Sequence, residues 1–594
     1  MNPETRVCQN CKQGFIIEPE DFDFYEKIKV PPPTWCSDCK LTRRMSWRNE
    51  RTLYKRRDIF GKELISIYSP DKPFKIFEQK YWWGDDWSPL DYGRAYNFSE
   101  TFFKQFRRLL DEVPVISLIN INAVNSDYCN SAVGNKNCYL SFGGDFCENV
   151  SYNTLSQHCK DSFDLYWANK SELCYELSDS ENGYKLFFSR YCQSCNNSAF
   201  LYNCRNCSEC FGCVNLRNKS NCIFNEQYTK EEYEKKLKDL SDGSFGTLQK
   251  IKAKFSDFEK QAVHRFAVMV NSQNVTGNNV YNTKNCQNCF DVLDGAQDCK
   301  NLLITAAGVK DCREVNHIGL GSELCYESCM IFPVFRALCS AIVMNSTNIS
   351  YSYNCHNSNN LFACIGLRNK QYCILNKQYT KEEYEALVPK IIEHMNQMPY
   401  VDKQGRTYRY GEFFPPELSP FCYNETIAQE YFPLTKEQAI EQGYSWKDPE
   451  PRNYQIDIKT DQLPDNIRDV KDDIIGKVIE CSHQGQCNEQ CTEAFRIIEP
   501  ELQFYRRMNL PLPRLCPNCR HYGRLKQRNP LKLWTRQCMC QGQTPRGQTP
   551  GQAYQNTAVH DHGDRSCPNT FETSYAPDRP EIVYCEQCYL KEVV

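Results

Sequence analysis

The chain has 594 residues, too many for one hydrophobic core, so several domains are expected. A net charge of −3 excludes a globally basic nucleic-acid coat protein, and no run of eighteen apolar residues could form a membrane-spanning helix. The opening MNPETRVCQNCKQGF has no apolar signal core, which predicts a cytoplasmic protein whose 37 cysteines are thiols or metal ligands, not a disulfide framework.

Residues 1–57 read as a zinc ribbon followed by a basic tract. Cys8-x2-Cys11 and Cys36-x2-Cys39 are two knuckles that together close a tetrahedron of thiolates around Zn²⁺. So short a segment has little core of its own, and bound zinc supplies about 10–16 kcal/mol of folding free energy. Residues 40–57 then carry a net charge of +7, with Arg43, Arg44, Trp47, Arg48, Arg51, Lys55 and Arg56 as candidate nucleic-acid contacts. Arginines can pair with phosphates while aromatic rings stack on bases, a composition expected of RNA or single-strand binding. The competing reading is that these arginines pair with acidic faces of the same chain, which predicts buried salt bridges. Residues 58–119 contain Trp82, Trp83 and Trp87 beside Asp85, Asp86 and Asp91 and read as an aromatic-rich packed joint.

The middle of the chain is duplicated. SELCYE occurs at 171–176 and at 322–327, and YNCRNCSECFGC (202–213) returns as YNCHNSNNLFAC (353–364), an offset of 151. The run Cys204-x2-Cys207-x2-Cys210-x2-Cys213 invites a metal-cluster reading. In the second copy Cys207 becomes Ser358 and Cys210 becomes Leu361, and a leucine cannot ligate metal. These cysteines therefore read as small hydrophobes of a core. Eighteen asparagines fall between Asn120 and Asn225, among short alternating strands such as CYLSF and SFDLYW. The fold class expected is mainly β: a tandem duplicated Asn/Cys-rich β-solenoid (β-helix-like) flanked by zinc ribbons, with short capping and connecting helices. An antiparallel sandwich is the alternative. The copies span 120–236 and 271–387, each closing with QYTKEEYE, where Thr229/Glu232 and Thr380/Glu383 predict capping boxes. A helical connector fills 237–270, and an aromatic and Pro-rich connector fills 388–480.

Residues 481–537 repeat the first ribbon at an offset of 480, so that Cys516 and Cys519 match Cys36 and Cys39. The other pair is expected to be Cys487 and Cys491, with Cys481 competing. The basic tract recurs too: residues 514–536 carry +7, leaving −17 on the rest of the chain, and Arg520, Arg524, Lys526, Arg528 and Trp534 are the candidate contacts. A third ribbon, 538–594, offers Cys538, Cys540, Cys585 and Cys588, with Cys567, His560 and His562 as competitors. Its QGQTPRGQTPGQAYQ segment reads as a flexible loop. About three zinc ions per chain are expected.

The Cys-x2-Cys, Phe-Tyr, Pro, Cys-x2-Cys order at 8–39, repeated at 487–519 with its first knuckle changed to Cys487-x3-Cys491, resembles the bacterial "probable zinc-ribbon" family over about 35 residues at each end. The RRMSWRNERTLYKR tract (43–56), together with the duplicated Asn/Cys-rich middle, resembles long multi-zinc-ribbon proteins of uncultured, small-genome bacteria. The resemblance implies structural zinc and brings no assigned reaction. No P-loop, dinucleotide loop, HExxH or GxSxG occurs, so no enzyme is expected; a carbohydrate-active β-helix enzyme is the weakest alternative. The functional expectation is a non-enzymatic scaffold binding RNA or a ribonucleoprotein such as the ribosome through the basic tracts. Its main alternative is a protein–protein assembly platform with purely structural ribbons.

Overall fold

The computed structural model describes every residue except 1, 450–451, 542–553, 555 and 564. Most of the loop expected at 541–555 thus lies outside the described residues. The protein is mainly sheet, with cysteine clusters near both ends of the chain.

Two parallel ladders dominate. In the first, each segment pairs in parallel with the one 12 residues later: Val124 with Lys136, Phe163 with Tyr175, Ser208 with Ser220. In the second the step drifts from 11 residues (Gln273 with Lys284) to 13 (Lys300 with Arg313) and settles at 12 (Leu361 with Cys373). Each ladder ends in an antiparallel hairpin strand, Glu226–Gln227 or Lys377–Gln378. A capped helix follows in each case. Thr229 and Thr380 form the predicted boxes with Glu232 and Glu383, opening helices Lys230–Leu240 and Lys381–Gln397. The connector helix expected to run on unbroken instead stops at Ser241 and restarts at Phe245–Lys260 with Ser244 as its cap.

The local period of the first ladder is three, not the two expected from alternating strands. From Asn122 onward almost every third residue is left-handed, as at Asn125, Asn137, Asn149, Tyr152, Leu155 and His158. A left-handed L-residue costs roughly 1–2 kcal/mol, least for Asn, Asp and Gly, which explains the asparagine content. Asn amides also chain between rungs: Asn125 donates to Asn137 and Asn137 to Asn149, both at 3.1 Å.

The residue after almost every left-handed position is buried, and nearly all are small: Ser126, Ala132, Cys138, Ser141, Cys147, Val150, Ser156, Cys159, Ser162. All twelve first-ladder cysteines, Cys204 to Cys213 included, are buried and share one core cluster. Inward serines are satisfied by the backbone. Ser162 donates to the Lys160 carbonyl at 2.7 Å and accepts from the Cys174 N–H, one rung on, at 2.9 Å. Leu361 fills the position equivalent to Cys210 with no exposure, as a core role requires.

The terminal modules dock crosswise. The helix Ser37–Met45 of the first module lies on strands Arg313–Ile318 and Tyr326–Leu338 of the second ladder, while Pro517–Leu525 of the second module lies on Phe163–Asn169 of the first ladder. The contacts match residue for residue. Tyr25 meets Tyr326 edge-on at 5.6 Å, and Tyr505 meets Tyr175 edge-on at 5.4 Å. Those pairs are related by the offsets of 480 and 151. The aromatic joint packs as expected, with Trp82, Phe102, Phe106, Tyr351 and Phe414 in one buried cluster.

Candidate metal centres and the basic tracts

Three groups of four thiols lie where ribbons were expected. The first is Cys8, Cys11, Cys36 and Cys39, as predicted. The second is Cys481, Cys491, Cys516 and Cys519, so Cys481 takes the place expected for Cys487. The third is Cys538, Cys567, Cys585 and Cys588, with Cys567 in the place expected for Cys540.

One shared hydrogen bond identifies the first sulfur of each group and so explains the place of Cys481. In each module a helix begins directly after the first cysteine of the last knuckle, and that cysteine's N–H donates to the first sulfur of the group. Cys36 donates to Cys8 at 3.3 Å, Cys516 to Cys481 at 3.2 Å and Cys585 to Cys538 at 3.2 Å. Cys481 is therefore the structural counterpart of Cys8. Cys487 sits beside Cys519 at 3.7 Å and belongs to a second group with His483, Glu489 and the shared Cys519.

The donor sets suit a tetrahedral ion. A Zn–S bond of about 2.3 Å implies an S···S edge of about 3.8 Å. The observed edges are 3.8 Å for Cys11–Cys36, 3.5 Å for Cys516–Cys519, 3.9 Å for Cys481–Cys519 and 3.9 Å for Cys567–Cys585. Side-chain amides add N–H···S contacts, Asn10 to Cys39 at 3.3 Å and Asn569 to Cys585 at 3.4 Å. These groups could hold a metal ion, and all-thiolate coordination is compatible with zinc.

The basic tracts run opposite to the expectation of an open phosphate-binding face. Arg43, Arg44, Trp47 and Arg48 are buried. Arg43 pairs with Glu327 at 3.0 Å and Glu412 at 3.4 Å; Arg44 pairs with Glu327 at 3.1 Å and Glu314 at 3.4 Å; Lys40 reaches Glu314 at 2.8 Å. Burial opposes ionisation of Glu314, yet Lys40 and Arg44 outweigh it and hold its carboxyl below the usual range. Trp47 stacks on Phe414 at 4.5 Å and so has no face for a base. Arg48 is paired with Glu50, and Arg51 lies near Glu430 at 3.6 Å. Burial pushes Glu430 up to about 7, against the pull of Arg51 and Arg48. Arg56 donates to the Ser69 and Phe74 carbonyls.

The second tract repeats the pattern on the other ladder. Arg520 and Arg524 converge on Asp164 at 3.3 and 2.8 Å, the counterparts of Lys40 and Arg44 on Glu314. Arg528 bridges the ladders, from Asp179 of the first at 3.1 Å to Asp291 of the second at 2.5 Å. Trp534 is half-buried on the strand Trp534–Gln537. Of the twelve expected nucleic-acid contacts only Lys55 and Lys526 have largely exposed side chains, and they pair with Glu63 and Glu489. The sequence signal for this was the matching acid supply: Glu314, Glu327 and Asp164 lie inside the duplicated middle, in the −17 that remains once the tracts are set aside.

Between the ladders runs a cleft of about 700 Å³ lined by Phe146, Trp167, Tyr281, Arg205, Asn279 and Asp291, among others. Among the described residues no helix is long and apolar enough to cross a membrane.

No family model matches the chain, and no curated protein matches it. A crystal structure of a proposed acetyltransferase from Desulfovibrio desulfuricans is paired with 44% of this chain and 69% of its own at 9% identity, with a TM-score of 0.10, too low to indicate a shared fold.

Proposed function

We propose that the protein is a non-enzymatic, zinc-stabilised scaffold: a duplicated β-solenoid whose two halves are clamped by zinc ribbons, serving as a protein–protein assembly platform. The observation that carries this reading is the crosswise docking. The first and second ribbons bury their arginines on carboxylates of the distal ladder, and Arg528 ties both ladders together. Breaking such buried pairs by removing one partner costs about 3–5 kcal/mol, so a phosphate backbone would have to compete with contacts already made. The rung of 12 residues in the first ladder and of 11–13 in the second, the left-handed residue at almost every third place and the hairpin at each end support the solenoid assignment. The all-thiolate groups support zinc in the ribbons. The inter-ladder cleft is the face left open for a partner.

The test joins metal content to binding. Purified chain is assayed by plasma mass spectrometry and thermal unfolding with and without chelator, and by filter binding to single-stranded RNA at low salt. Zinc in the purified chain, a melting temperature lowered by chelation and negligible RNA binding are expected. Tight RNA binding whose log K falls with log salt would return the basic tracts to a nucleic-acid role.

A further inference from the structure

The third ribbon contains a second set of metal donors beside its four thiols. Cys540, His560, His562 and Cys588 present ligand atoms all within 4.8 Å of one another, and Cys588 is common to both sets. We infer that this module holds a dinuclear zinc centre in which the Cys588 thiolate bridges one ion bound by Cys538, Cys567 and Cys585 and a second bound by Cys540, His560 and His562. This rests on the proposed reading of the terminal modules as zinc sites, and adds an ion to it.

The histidines are oriented as ligands. His560 is buried and donates from Nε2 to Glu592 at 2.8 Å, which leaves Nδ1; that atom is buried and has no hydrogen-bond partner among the described residues. Glu592 is itself fixed, accepting from the Thr557 N–H at 2.9 Å, the Ala558 N–H at 3.1 Å and the Tyr554 hydroxyl at 2.9 Å. A carboxylate behind the distal nitrogen is the arrangement that sets tautomer and ring direction in metal-bound histidines. His562 donates from Nδ1 to the Arg565 carbonyl at 2.5 Å, and its Nε2 lies 3.5 Å from the Cys588 sulfur. Zn–S and Zn–N bonds of about 2.3 and 2.0–2.1 Å imply an N···S edge of about 3.6 Å in a tetrahedron. The Asn556 amide donates to the Cys540 sulfur at 3.3 Å, as Asn10 and Asn569 do to sulfurs of the four-thiol groups.

The comparable group in the second module lacks this preparation. There His483 is only half-buried, and its Nδ1, which makes no hydrogen bond among the described residues, lies 3.1 Å from Glu489, a carboxylate also paired with Lys526. A second ion is inferred only where a buried histidine has one nitrogen held by a carboxylate and the other unpartnered toward the set.

The experiment is metal stoichiometry of the full chain by native mass spectrometry and plasma mass spectrometry. Four zinc per chain are expected in the wild type. His562→Gln and Cys540→Ala should each lower the count to three, and Cys588→Ala should lower it to two. In the cobalt-substituted protein, His562→Gln should remove the visible absorption of one nitrogen-containing tetrahedral site and spare the all-thiolate bands. His560→Gln gives a second reading should a cysteine variant fail to fold. Three zinc in the wild type, or four retained in both histidine variants, overturns the dinuclear centre and leaves the scaffold reading intact. A chain without zinc overturns both.

Discussion

Asp164→Asn tests the crosswise clamp most sharply. Asp164 is fully buried, accepts from Arg524 at 2.8 Å and pairs with Arg520 at 3.3 Å. Its φ of 58° suits asparagine as well as aspartate, so the substitution removes charge without straining the backbone. Arg520 keeps Glu501 at 3.2 Å and the face of Tyr152, whereas Asp164 is the one acid within ion-pair distance of Arg524 among the described residues. An unpaired buried arginine costs about 3–5 kcal/mol, or a rise of at least ~100-fold in the local opening equilibrium. Native-state hydrogen exchange should show this in residues 495–525 and in the facing strand Phe163–Asn169, and leave the first module unchanged. Glu314→Gln should do the reverse, loosening the first module, where Lys40 loses its acid and Arg44 keeps only Glu327. Arg524→Met placed on Asp164→Asn should restore protection, because the stranded charge is then gone. Unchanged exchange in the single variant, within about 1 kcal/mol, would refute the clamp.

Three further outcomes follow from the same geometry. Cys481→Ser should remove one zinc equivalent while Cys487→Ser keeps it, read by plasma mass spectrometry; the opposite result would undo the assignment of Cys481 as the counterpart of Cys8. Cys210→Leu should fold with full metal content at a cost of about 1–3 kcal/mol by urea unfolding, because Leu361 already occupies that position in the second ladder; loss of a metal equivalent would make Cys210 a ligand. Burial pushes Cys129, Cys138, Cys174, Cys355 and Cys373 up to about 12 from 9.0. Their folded-state values are raised, so their contribution is whole below pH 9 and is lost as pH rises toward 12. Stability should therefore fall across that window by up to about 1.4 kcal/mol per pH unit for each thiol, and alkylation at pH 8 should spare them; rapid native-state labelling would contradict this.

What the sequence revealed depended on which residues carried a distinctive chemistry. The duplication, the capping boxes and the metal knuckles were legible because SELCYE, Thr-x2-Glu and Cys-x2-Cys are specific strings. The substitution of Leu361 for Cys210 by itself separates core from ligand. The three-residue period was present in the cysteine positions themselves, since 129, 138, 147, 159, 174, 192, 195 and 204 all differ by multiples of three. It was masked by apparent alternation, because residues such as Tyr152, Leu155 and Trp167 occupy left-handed positions that a strand reading gives to Asn and Gly alone. The arginine tract misled for a different reason. Charge density at 40–57 marks a need for carboxylates or phosphates equally, and only the fold brings Glu314 and Glu327 against it. Cys481 and Cys567 were read only as competitors because they lie outside tight knuckles, where the hairpin, not the spacing, delivers the sulfur.

The clamps also answer a weakness inherent in the ladder. A three-residue repeat with a left-handed corner leaves four inward positions per 12-residue rung, and those positions admit side chains such as Cys, Ser, Ala and Val. So narrow a core buries little apolar area per residue, and apolar burial is the main favourable term in folding. The first ladder's outer faces make up the difference through aromatic contacts with elements far away in sequence: Tyr152, Phe163 and Tyr175 join the second module's core, and Phe200, Phe211 and Ile223 pack against the connector helix. The second ladder does the same with Tyr326, Tyr351 and Tyr353 against the first module and the joint. A ladder expressed without its distal ribbon would present that aromatic face to water. Each half should accordingly depend on the other end of the chain, and metal removal at one terminus should expose the ladder that lies farther away in sequence.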